Sequence, residues 1–120
     1  MYLGEYGEDG DWLYVSPRLE AVLGYTPEEW LAHPHPMASF VHPDDIDRVR
    51  AEERRSQQEH RVFSSDYRMV AKDDSWIWIH DEAVAVLDDD GTPFVLMASI
   101  TDITERKRAE EELAAALEQL

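Results

Sequence analysis

The side chains best suited to metal or acid–base chemistry in this sequence are five histidines set among 27 carboxylates. Their densest grouping is His33, His35 and His42 with Asp44 and Asp45, written HPHP and then HPDD. Divalent metals accept such ligands. Pro34 and Pro36, however, hold the first motif extended, and the second has the form of a helix start, so the cluster reads as a loop and a cap and no metal site is assigned. His80-Asp81 is the other pairing, but neighbours on a strand point to opposite faces, which separates them. The sequence contains no serine elbow and no glycine-rich phosphate loop, so the chain itself reads as non-catalytic. It contains no cysteine, which excludes disulfides, thiolate metal sites, cysteine nucleophiles and chromophores attached through sulfur.

A different kind of site remains, one built from large apolar side chains on a folded scaffold. With 120 residues, the chain has the length of one domain with one core. Its four Trp, five Tyr and three Phe supply apolar area that a disordered chain would lack. The net charge of −16 sets 11 basic against 27 acidic residues, with no basic stripe to attract nucleic acid. No run approaches the roughly 18 apolar residues of a membrane span, and the start MYLGEYGEDG lacks the pattern of a signal peptide. The chain is therefore expected to be cytoplasmic and not inserted in a membrane, although a parent protein could carry an anchor elsewhere.

The elements that would position such a site can be read in order. Residues 2–6 and 11–16 are short β-rich runs around the hairpin signal Asp9-Gly10. Ser16-Pro17, Thr26-Pro27-Glu28-Glu29 and His42-Pro43-Asp44-Asp45 open three helices, and Thr26 with Glu29 has the spacing of a capping box. Gly24 closes the first helix in the left-handed conformation. Residues 31–41 are expected to be mostly loop, and 43–59 a surface helix with a thin buried stripe at Ile46 and Val49. Residues 61–71, 75–87 and 93–101 form an antiparallel meander joined by Lys72-Asp73-Asp74-Ser75 and Asp88-Asp89-Asp90-Gly91. From Glu105 the chain turns to strong helix formers.

The assembly these elements imply is α+β: a five-stranded antiparallel sheet with short helices on one face and a C-terminal linker helix. Alternation places Phe63, Tyr67 and Met69 on one face of their strand and Ser64, Asp66 and Arg68 on the other. Trp76 and Trp78 oppose Ile77 and Ile79, so the central strand is apolar on both sides and both sides need cover. The second cover is expected from the C-terminal helix or a partner subunit. Leu13, Val15, Phe40, Phe63, Tyr67 and Met69 are the residues that would line a small-molecule pocket or fill a core in its place. Leu113, Leu117 and Leu120 fall at d, a and d of a heptad, after Ile103 and Arg106 at the equivalent earlier positions, with Arg106 and Glu110 interrupting the seam.

LYVSPRLEAVLGYTPEEW, FVHPDD, DYRMVAKDDSWIWIHDEAVAVLDDDGTP and ITDITERKRAEEEL resemble, in that order, successive motifs of PAS domains, the last being the PAC-like motif that closes the domain. The resemblance implies an antiparallel sheet cupping a small pocket, a sensory role upstream of a histidine kinase, cyclic-dinucleotide enzyme or phosphatase, and frequent homodimers. On this reading residues 1–104 are a sensory domain with a shortened first strand, and 105–120 begin a signalling coiled coil. Asp102, Ile103, Thr104 and Glu105 would transmit the signal, with Asp102 and Glu105 at capping-box spacing, and Trp76, Trp78, Leu113, Leu117 and Leu120 would meet a second copy. Haem-binding relatives usually draw their axial ligand from the connecting helix, which here has no histidine before His60, so haem is not expected. The ligand is not specified by the sequence. A ligand-free dimerisation module is the alternative, and a metal-dependent enzyme on the histidine cluster a more distant one.

Overall fold

The computed structural model of the chain describes residues 2–5, 12–33, 39–59 and 61–120. Five strands, β1 (Tyr2–Glu5), β2 (Trp12–Val15), β3 (Phe63–Val70), β4 (Trp76–Leu87) and β5 (Pro93–Asp102), form one antiparallel sheet in the order β2-β1-β5-β4-β3. Helices α1 (Arg18–Leu23), α2 (Pro27–Ala32) and α3 (Pro43–Gln58) connect β2 to β3, and α4 (Thr104–Glu118) follows β5. The Asp9-Gly10 turn, His35 and His60 lie outside the described residues.

Local chemistry explains the helix ends. Thr26 accepts the Glu29 N–H at 3.1 Å while the Glu29 carboxylate accepts the Thr26 N–H at 3.2 Å, completing the capping box. Gly24 ends α1 at φ 87°, and a Cβ there would stand 3.1 Å from the Lys72 Cβ, so both backbone and space call for glycine. The α1–α2 corner is tied to the end of β3: Lys72 N–H donates to the Leu23 carbonyl at 2.8 Å, and the Tyr25 hydroxyl to the Val70 carbonyl at 3.1 Å. Of the segment expected to be loop, Leu31 and Ala32 complete α2 and residues 39–40 are helical.

The two turns of the meander are held by their own aspartates. Asp73 accepts the Ser75 N–H, Asp88 accepts those of Asp90 and Thr92, and Gly91 takes φ 80°. The expected strand parities are those observed: Phe63, Ser65, Tyr67 and Met69 are buried, as are Ile79, Asp81 and Ala83 on β4. With Val15, Leu19, Leu23, Trp30, Val41, Val49 and Ala98, the apolar members of this set form one core between sheet and helices. In α3 the buried stripe is Val49 with Asp45 and Ser56, and Ile46 packs against the core from a half-buried position.

The opposite face of the sheet departs from one of the two expectations. Helix α4 does not lie across it: every residue from Arg108 to Leu120 is exposed, and only its first turns approach β3 and β4. Trp76 remains 47% exposed, and Val84 and Met97 are exposed as well. The helix presents a largely charged surface to its surroundings, and its leucines Leu113 and Leu117 are exposed.

Val15 sits in the core, so overpacking measures its environment directly. Val15→Trp is expected to destabilise the domain by about 1–3 kcal/mol in denaturant unfolding. A variant that unfolds like the parent would place Val15 elsewhere.

Candidate functional site

The interior site is built on β3 and β4. Tyr67 and Ile79 are directly paired across the two strands, as are Ser65 and Asp81. The Tyr67 hydroxyl donates to Asp81 Oδ2 at 2.7 Å, with Tyr67 0% and Asp81 1% exposed. A phenol and a carboxylate thus meet inside an otherwise apolar core, where such a hydrogen bond is strong because water does not compete. Around it stand Val15, Phe63 and Met69, all buried, with Phe40 half-buried at the rim. Phe40 stacks on Trp30 at 5.1 Å and packs tilted against Tyr25 at 4.6 Å between ring centroids. The structure therefore gathers Val15, Phe40, Phe63, Tyr67 and Met69 in one region, while the side chain of Leu13 lies outside the described residues.

Sequence reasoning left Asp81 and Trp30 out of this region. The signal for Asp81 was present, since it shares strand parity with Ile79 and Ala83. Trp30 follows the capping box by one turn, on a helix too short to show periodicity.

A second constellation lies on the outer face, where β5 becomes α4. The Ile103 N–H donates to the Trp78 carbonyl at 2.9 Å, and the Trp78 N–H to Thr104 Oγ1 at 3.2 Å. Asp102 does not act as the expected N-cap. It still pairs with Ile79 as the last residue of β5, the N-cap position falls to Ile103, and the Asp102 carboxylate accepts the Thr104 N–H at 2.9 Å. Glu105 is exposed in the first turn, and the capping box with Asp102 does not form.

Beside this root, His80 bridges two carboxylates: Nδ1 lies 2.6 Å from Asp66 Oδ1 and Nε2 lies 3.0 Å from Glu82 Oε1. Ionised carboxylates only accept, so both contacts are hydrogen bonds together only for the imidazolium. The Glu82 and Asp66 hydrogen bonds raise the His80 pKa above its ordinary value, against a smaller opposing effect of burial. Burial opposes ionisation of Asp66, but the His80 hydrogen bond and the charges of Arg106, His80 and Lys107 outweigh it and hold that carboxyl below the usual range. Arg106 Nη2 reaches Asp66 Oδ2 at 2.8 Å and Lys107 Nζ at 3.7 Å.

Of the histidine cluster, the described members His33 and His42 have other partners. His42 uses Nδ1 to accept the Asp44 N–H at 3.0 Å and packs its ring 4.4 Å from Trp76, while His33 packs against Phe40. Asp44 is exposed and Asp45 turns to Arg68. Among the described residues no group of three or more His, Cys, Asp or Glu side chains is placed to hold a metal ion.

A family model described as PAS fold matches residues 13–100, nearly three quarters of the chain. The chain belongs to the PAS-fold family. This PAS domain is 36% identical over 90 residues to a methyl sulfide methyltransferase-associated sensor of Methanosarcina acetivorans, covering 74% of the chain and 9% of that relative. It is 33% identical over 82 residues to the two-component sensor PprA of Pseudomonas aeruginosa, covering 68% of the chain and 9% of the relative. The chain thus spans about a tenth of the length of these curated relatives. Among solved structures it resembles a sensory box histidine kinase/response regulator from Burkholderia thailandensis, with TM-score 0.76 and 27% identity, covering 98% of this chain and 88% of that one. The PAS domain is therefore a sensory module homologous to the input domains of sensor proteins. Among the described residues no helix is long and apolar enough to cross a membrane.

The ionisation pattern of the outer face fixes two pH windows. His80 has a raised pKa, so its contribution to stability is complete below its unfolded value of about 6.5 and is lost as pH rises through the higher folded value. Asp66 is lowered, so its contribution is present above about 3.9 and is lost as pH falls through the lower folded value. Solvent screens this half-exposed group, so the alkaline loss is expected to be about 0.2–1 kcal/mol and absent in His80→Gln. An imidazole titration by NMR with a midpoint at or below the ordinary value would contradict the assignment.

Proposed function

We propose that this domain receives a signal and biases an output domain following Leu120 by changing the exit direction or packing of α4. The observation that carries the reading is how that helix is attached. It is fastened to β4 at Trp78, by one hydrogen bond on each side of the residue, and from Arg108 onward it is exposed. An element held firmly at its root and free along its length converts a small movement of the sheet into a larger one at its far end. Asp102, Ile103, Thr104 and Glu105 are the transmission residues in this account, with residues 1–104 as the sensory unit and 105–120 as the beginning of the output helix.

The partner is a second copy. Leu113 and Leu117 are 62% and 58% exposed at coiled-coil spacing, and Trp76, Val84 and Met97 are exposed on the sheet's outer face. Trp78, also assigned to this contact, is half-buried beneath Arg68 and Lys107, so it would meet the second copy through those cations. The input would be a small molecule held between sheet and helices, with the Tyr67–Asp81 pair as its polar anchor and Val15, Phe40, Phe63 and Met69 as its apolar wall. The likeness to sensor proteins supports the sensory part of this reading, and an output such as a histidine kinase or cyclic-dinucleotide enzyme is part of the same proposal. The burial of Tyr67, Met69 and Ile79 at 0% exposure favours a second reading, a dimerisation module with a filled core. A small molecule retained in native mass spectrometry would decide against that second reading.

Transmission is tested at Asp102, whose carboxylate holds the first turn of α4. Asp102→Ala removes that hydrogen bond and is expected to cost about 0.5–1.5 kcal/mol, a small part of a domain's stability. In a fusion to a histidine kinase core, the variant should change kinase output at temperatures where the domain remains folded. Output that changes only as the fold is lost would reduce Asp102 to a structural turn.

A further inference from the structure

We propose that Arg68 couples the first turn of α3 to the root of α4 through the Trp78 indole. The chain of contacts is continuous. Asp45, in the first turn of α3, accepts three hydrogen bonds from Arg68: from its backbone N–H at 2.9 Å, from Nε at 2.9 Å and from Nη2 at 2.8 Å. Arg68 pairs directly with Trp78 across the β3–β4 ladder, and its guanidinium carbon lies 5.2 Å from the indole centroid. Lys107 of α4 places its ammonium 4.9 Å from the same indole. Trp78 also carries the two backbone-level bonds that hold Ile103 and Thr104.

The guanidinium is suited to this position for a physical reason. Its planar fork satisfies a carboxylate with two bonds while the cation rests near an aromatic ring, and lysine cannot do both. The Arg68 hydrogen bonds hold the Asp45 carboxyl below the usual carboxylate range despite its burial, so the pair remains ionised at neutral pH. Any displacement of the start of α3 therefore moves Arg68 at the sheet edge, and with it the cation that shares the indole with Lys107. His42, which caps α3 and rests on Trp76, supports the same corner. The role of α4 as the output element is taken from the proposed function, but the coupling itself requires no output domain.

Amide hydrogen exchange on the 120-residue chain tests the coupling from both ends. Asp45→Asn is expected to speed exchange at Lys107 to Ala109 by about two- to thirtyfold, the range found for coupling through packed networks. Coupling acts in both directions, so Lys107→Met is expected to loosen Ile46 to Arg48 as well. Ile79 and Ala83 amides report global opening and should hold their protection. If Asp45→Asn lowers them too, Arg68→Lys, which keeps a cation beside the indole, is read in its place by the excess loosening of residues 107–109 over Ile79. Loosening confined to the mutated end, in either direction, would overturn the proposal. A kinase fusion insensitive to Asp102→Ala would instead overturn the output reading and leave this coupling standing.

Discussion

Strand β4 has to be covered on both faces, and most of the architecture answers that requirement. Its inward residues Ile79, Asp81 and Ala83 are buried beneath the helical layer, while its outward residues begin with Trp76 and Trp78. An aromatic pair on the far side cannot be left in water without cost, at about 25 cal/mol per Å² of apolar surface. Trp78 receives partial cover from the Arg68 and Lys107 cations and from the turn into α4, whereas Trp76, with the His42 ring packed against it, remains 47% exposed. Among the described residues, Val84 and Met97 on the same face are exposed.

The same requirement explains why α3 stays close to the sheet edge. Strand β3 is an outermost strand, and its unpaired backbone groups would otherwise be a template for aggregation. They are taken up instead by the helical segment: the His42 N–H donates to the Arg68 carbonyl, Arg48 donates to the Asp66 carbonyl at 2.8 Å, and the Arg68 N–H reaches Asp45. Edge protection and the Asp45–Arg68 ion pair are one structure, which places a charged link between the helical layer and the outer face.

Much of the fold was legible in the sequence because it is local. The Thr26–Glu29 box, the Gly24 stop, the His42-Pro43 start and the aspartate turns each depend on residues within four positions of one another. Strand parity was legible for the same reason. The pairing of Asp45 with Arg68 was not, since the two are 23 residues apart and no spacing rule joins them. Asp102 shows the limit from the other side. Its spacing to Glu105 fits a capping box, but whether it caps depends on where pairing with Ile79 ends, which is a property of the sheet. The Tyr67–Asp81 pair needed both parity and register, and only parity can be read from one strand.

In the proposed assembly, the outer face of the sheet and the exposed leucines of α4 meet a second copy of the chain, giving the output helix a partner to move against. Sedimentation of residues 1–120 beside a chain ending at Ile103 tests it most directly. A dimer is expected for the full chain, with weaker association, in the high micromolar range, once α4 is removed. A full chain that sediments as a monomer at high micromolar concentration would contradict it.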